Sequence, residues 1–111
     1  MKKEINNWEL IFCTSKRDSL NTSLRIIFQD LDDGNIYLIE LAIDSIMDQI
    51  IDDNERRGTT KDLIKAIIKR SLHKAELIDE VEKLREYIWN PLDFESIKTK
   101  IRDIKINQII I

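Results

Sequence analysis

Four carboxylates, Glu40, Asp44, Asp48 and Asp52, recur every four residues. On a helix that spacing lines them along one stripe. Such a stripe could be a solvated acidic face, hold a divalent cation or act as an acidic docking surface. Asp32, Asp33, Asp52 and Asp53 do not match a calcium loop, and no Glu-x-x-His pair occurs. A solvated face is the plain role of such a stripe, and docking its functional one. Like charges at this spacing repel by roughly a few tenths of a kcal/mol per pair, which a basic partner would relieve.

The complementary set follows directly. Lys61, Lys65 and Lys69 also recur every four residues, with Arg70 beside them and Arg56 and Arg57 just before. The charge changes sign at Arg56. Asp30 to Glu55 holds nine acids and no Lys or Arg, whereas Arg56 to Lys74 holds seven bases and one acid, Asp62. A solvated face is again the plain role of the basic set; as a functional pair, the two patches predict a contact with another protein.

Other chemistry is scarce. His73 is the single histidine, and Cys13, the single cysteine, sits in an apolar run. The expected role of each is structural, and Cys13 suggests a reducing compartment. There is no HExxH, CxxC, Walker or GxSxG motif, and two glycines supply no usual phosphate cradle. The expectation is a protein that is not an enzyme and uses no cofactor or metal. A net charge of −3 and a short basic patch without interleaved aromatics speak against nucleic acid. Trp8 and Trp89 fall near expected helix ends, where core or rim packing is their expected role. The Met1-Lys2-Lys3 start lacks an apolar signal region, and no run approaches membrane length. These features predict a cytoplasmic protein.

The elements that would position the patches read as helices. The spacing predicts helices over 4–13 (Ile5, Trp8, Ile11, Phe12) and 17–30 (Leu20, Leu24, Ile27, Phe28), with a turn over Thr14–Ser19 between them. Asp32 to Asn35 reads as a turn. A long central helix is expected over 36–54, on an apolar set from Leu38 to Ile51, because a strand of that length is improbable. Gly58 stops it, and Thr59 or Thr60 caps a fourth helix over 60–71. A fifth helix over 74–89 is expected to end at Asn90-Pro91. A sixth spans 92–105. Residues 1–105 are thus expected to form one helical domain, with 106–111 as a tail leading toward a further domain. The expected fold is all-α, a compact bundle of five to six helices.

Two stretches resemble a known family. Thr14-Ser15-Lys16-Arg17-Asp18-Ser19-Leu20 resembles the turn before the second helix of bacterial effector-associated domains. Glu55-Arg56-Arg57-Gly58-Thr59-Thr60-Lys61-Asp62-Leu63-Ile64 looks like their helix–glycine–helix junction. The resemblance spans about residues 8–80. It implies a death-domain-like bundle acting as an adaptor in bacterial defence or signalling. The expected partner is a like domain, giving a possible homo-oligomer, or an effector. A small toxin or bacteriocin immunity protein is the alternative, and a helix-turn-helix DNA-binding regulator the third.

Overall fold

The structure, a computed structural model, describes residues 7–18 and 21–110. It contains a four-stranded antiparallel sheet. Strands β1 (Trp8–Arg17), β2 (Thr22–Asp30) and β3 (Ile36–Ile43) lie side by side in chain order. A two-residue strand β4 (Glu76–Leu77) completes the sheet beyond β3. Helices α1 (Ser45–Arg57) and α2 (Thr60–Ser71) follow β3, and α3 (Pro91–Ile110) ends the chain. Single 3-10 segments occupy Leu72–Lys74 and Val81–Glu86. The expected all-α, death-domain-like bundle is therefore not the fold of this chain.

Both faces of the sheet are covered, which explains why its strands resemble helices in sequence. Leu24, Ile26 and Phe28 of β2, with Tyr37 and Ile39 of β3, pack on Ile64, Ile67 and Ile68 of α2. On the opposite face Ile27, Ile36 and Leu38 pack on Leu84 and on Phe94, Ile97 and Ile101 of α3. A strand buried on both faces loses the apolar–polar alternation and becomes a continuous apolar run. Such a run fits a helical stripe by chance, as Leu24, Ile27 and Phe28 do. The expected helix over 17–30 is strand β2 for this reason.

The expected helix over 4–13 fails through a β-bulge. Leu10 pairs with Phe28 and Phe12 with Ile27, leaving Ile11 as the extra residue. Trp8, Leu10 and Cys13 consequently pack on the first core, while Ile11 and Phe12 both pack on the second. Two successive apolar residues on one face imitate helical spacing. The expected turn over Thr14–Ser19 also moves. Thr14–Arg17 belong to β1, and the chain turns after it, where the Asp18 and Asn21 backbones bond each other. Ile5 and Leu20, members of the expected stripes, lie outside the described residues, as does Ile111.

The expected central helix over 36–54 divides into β3 and α1. Asp44 makes the switch: its extended backbone precedes α1, and its carboxylate accepts from the Met47 amide at 2.8 Å. That N-cap sets the boundary without glycine or proline. The Asp32–Asn35 turn lies where expected, with Gly34 at φ 76°.

The Gly58 junction is legible in detail. Gly58 takes φ 73°, its amide donates to the Glu55 carbonyl at 3.2 Å, and the Thr59 amide donates to Asn54 at 2.8 Å. These are the two bonds of a Schellman motif. An added Cβ at Gly58 would meet nothing within 4 Å. Gly58→Ala is therefore expected to cost about 1–2 kcal/mol from the left-handed backbone alone, and Gly58→Asn less. Urea melts of both variants check this.

The last third also differs from expectation. The fifth helix is replaced by β4 and the 3-10 segment Val81–Glu86. Ile78 donates its amide to the Ile36 carbonyl at 2.7 Å, extending the sheet. Val81, Leu84 and Tyr87 all face the second core, at the spacing of three that a 3-10 segment keeps on one side. Asn90-Pro91 opens α3 instead of closing a helix. The Asn90 side chain accepts from the Leu92 amide at 3.1 Å, and Pro91 occupies the first helical position. The residues expected as a tail from 106 continue α3 to Ile110.

Candidate functional site

The basic residues fall on one end and one flank of the α1–α2 hairpin. Arg56 and Arg57 close α1, and Lys61, Lys65, Lys69 and Arg70 lie along α2. All six are exposed. Helix α2 buries Ile64, Ile67, Ile68 and Ser71 against the sheet, which turns the lysine row outward. None of the six makes an ion pair with another described residue. Three lysines at successive four-residue steps span about 12 Å of helix axis. The result is an unneutralised cationic ridge.

The expected acidic stripe is not assembled. Glu40 stands on β3, and its carboxylate meets Arg25 Nε at 3.0 Å. Asp44 caps α1. Asp52, on α1, meets Arg17 at 2.6 Å. Asp48 belongs to α1, but its side chain lies outside the described residues. A strand and a helix cannot carry one stripe with a four-residue repeat, so the spacing of Glu40 and Asp44 has no geometric meaning here. Glu40 and Asp52 already have basic partners inside the fold.

A further group of acids lies at residues absent from the expected patches. Beside β4 a groove of about 260 Å³ is lined by Leu38, Ile78 and Leu84, with Glu76, Asp79 and Glu80 around it. Glu76 and Asp79 have no ion pair with a described residue, while Glu80 meets Lys83 at 3.7 Å across solvent. The mixed signs after Glu76 in the sequence hide this cluster. Only the strand, which turns Glu76 and Leu77 to the sheet edge, makes it visible.

A second unforeseen cluster centres on Arg25. Its guanidinium lies 4.2 Å from the Trp89 ring centroid and 5.6 Å from that of Tyr87. It also donates to the Tyr87 carbonyl and to Glu40. Lys16 Nζ also lies over the Trp89 ring, 6.0 Å from its centroid. Arg25 is the one charge inside the apolar run from Leu24 to Phe28, which was the available signal. With Nε and Nη1 engaged and Trp89 beside it, Arg25 ties the segment after the 3-10 turn to the sheet.

The remaining chemical candidates are unremarkable in setting. His73 is exposed on the Leu72–Lys74 turn. Trp8 packs edge-on against Phe28 with centroids 6.2 Å apart. Among the described residues no cluster of His, Cys, Asp or Glu could hold a metal ion. No described helix is long and apolar enough to cross a membrane.

Burial, and then the Glu55 charge, push the Cys13 thiol from 9.0 up to about 11. The thiol is thus protonated and a poor nucleophile near neutral pH. The raised value also has a stability sign. The unfolded thiol ionises near pH 9 and the folded one near 11, so stability is intact below pH 9 and falls as pH rises between them. Cys13→Ala is expected to remove a loss of about 2 kcal/mol across that window, seen by comparing urea melts at its two ends.

No family model, curated protein or solved structure matches this chain.

Proposed function

We infer that this chain is a non-enzymatic protein–protein interaction domain whose basic α2 face docks on an acidic protein surface. The observation that carries this reading is the row Lys61, Lys65 and Lys69, exposed, aligned and without carboxylate partners among the described residues. Arg56 and Arg57 extend the positive field past the Gly58 junction. Such a patch steers association and sets specificity more than it adds affinity.

The other readings draw less support. A DNA-reading helix needs side chains that address base edges. The exposed positions of α2 are Lys61, Asp62, Lys65, Ala66, Lys69 and Arg70. They suit a charged surface better than base readout. The acidic half of the expected contact is not carried by Glu40, Asp44 and Asp52, which have internal roles.

A displayed library of random peptides tests the inference. Wild-type protein is expected to enrich acidic sequences, and Lys61→Glu/Lys65→Glu/Lys69→Glu is expected to lose them. Captured peptides should also be released by salt. Absence of acidic enrichment, or enrichment that survives the charge reversal, would remove the docking role.

A further inference from the structure

We propose that the acidic surface met by α2 is the groove beside β4 of a second copy of this chain, so that copies join head to tail. The proposal rests on the docking role inferred for α2. It adds the identity of the partner surface.

The groove has the required chemistry. It is lined by Leu38, Ile78 and Leu84 and by Glu76, Asp79 and Glu80, with Lys83 the one base among them. Lys83 meets Glu80 at 3.7 Å, which leaves Glu76 and Asp79 without an ion pair to a described residue. Leu77 stands at its edge, 45% exposed. Strand β4 is two residues long and stands last in the strand order, so no described strand pairs with its outer side. A lysine side chain carries an apolar stem and a charged tip. Laid across the groove, the α2 lysines would cover Leu77 with their stems and reach the three carboxylates with their ammonium groups.

The placement of the two surfaces decides the geometry. Helix α2 covers one face of the sheet, whereas Leu38, Ile78 and Leu84 of the groove belong to the core on the other face. A surface pointing away from its complement on the same molecule is satisfied by a neighbour. A twofold dimer would need both α2–groove contacts to form at once about one axis, which surfaces on opposite faces of the sheet disfavour. Only the unlike pairing relieves charge on both sides, and such a heterologous contact can repeat into chains. The stripe of Glu40, Asp44, Asp48 and Asp52 plays no part in it.

Light scattering on the full chain, with charge-reversed variants, tests this. At low salt the mass of the wild type should rise with concentration above the 13.2 kDa monomer. About 0.5 M salt should return it to the monomer. Lys61→Glu/Lys65→Glu/Lys69→Glu alone and Glu76→Lys/Asp79→Lys/Glu80→Lys alone should each be monomeric, and an equal mixture should associate again. All six positions are exposed, and circular dichroism checks that the variants keep the fold. Lys→Gln changes at the same three lysines give a milder version, expected to weaken association several-fold. A wild type monomeric at every concentration would overturn the proposal, as would a mixture that stays monomeric. If α2 still selects acidic peptides in that case, the docking role stands and the partner is another protein. If peptide selection ignores α2, both inferences fall.

Discussion

Phe28→Ala is expected to lower stability by about 3–5 kcal/mol. Phe28 is fully buried on β2, the strand bonded on both sides. Its ring meets the Trp8 edge at 6.2 Å and stacks on Tyr37 at 5.7 Å. Truncation leaves a cavity between a sheet and α2, and a ladder with partners on both edges has little freedom to close it. Loss on this scale is a large part of the roughly 5–15 kcal/mol a domain possesses. Chemical denaturation measures it, with Phe28→Leu as the milder comparison. Ile26 sharpens the same experiment. It was outside the expected helical stripe, yet it is fully buried on the Phe28 face, while Ile27 is fully buried on the other. Ile26→Ala and Ile27→Ala should both cost about 2–5 kcal/mol. A one-sided helix would give a small value for one of them.

Arg25→Ala is expected to cost about 3 kcal/mol. The Glu40 ion pair contributes little of this, because that carboxylate is 45% exposed and well solvated. The main loss is the charged hydrogen bond to the Tyr87 carbonyl, worth about 1.5–3 kcal/mol. Stacking on Trp89 adds about 1 kcal/mol. Arg25→Lys keeps the charge but loses the planar stack, and should fall between wild type and alanine. Trp89 fluorescence reports the same event. It should shift toward the exposed spectrum in Arg25→Ala while the sheet persists by circular dichroism. An unchanged spectrum would mean that Arg25 does not hold the indole.

These residues show what was legible from sequence. The spacing predicts helix α2 at its observed bounds, since Leu63, Ile64, Ile67 and Ile68 form a one-sided stripe and Gly58 and Thr59 punctuate its start. The Asp32–Asn35 turn announced itself through Gly34. The strands were hidden because burial on both faces erased their alternation, and because Ile11 in the bulge repaired a helical spacing. The division of 36–54 was hidden because an aspartate cap marks it instead of a breaker. Asn90-Pro91 was read as a stop, although the same pair supplies a cap and a first-turn proline.

The candidate surfaces follow the same pattern. The basic row was visible because it lies on the helix whose period was read correctly. The acidic stripe depended on a helix through Glu40, and it dissolved when that segment became a strand. The acids at Glu76, Asp79 and Glu80 could not be found from spacing, since no regular period connects a two-residue strand to the turn after it.

The most direct test of the account is a backbone amide NMR titration of the wild type from dilute to concentrated solution at low salt. Shifts are expected to be confined to two regions, Lys61–Arg70 on α2 and Glu76–Glu80 on β4 and just after it, and to vanish together on adding salt. Shifts at Glu40, Asp44 and Asp52 with none on α2, or a spectrum independent of concentration together with no response to acidic peptides, would contradict it.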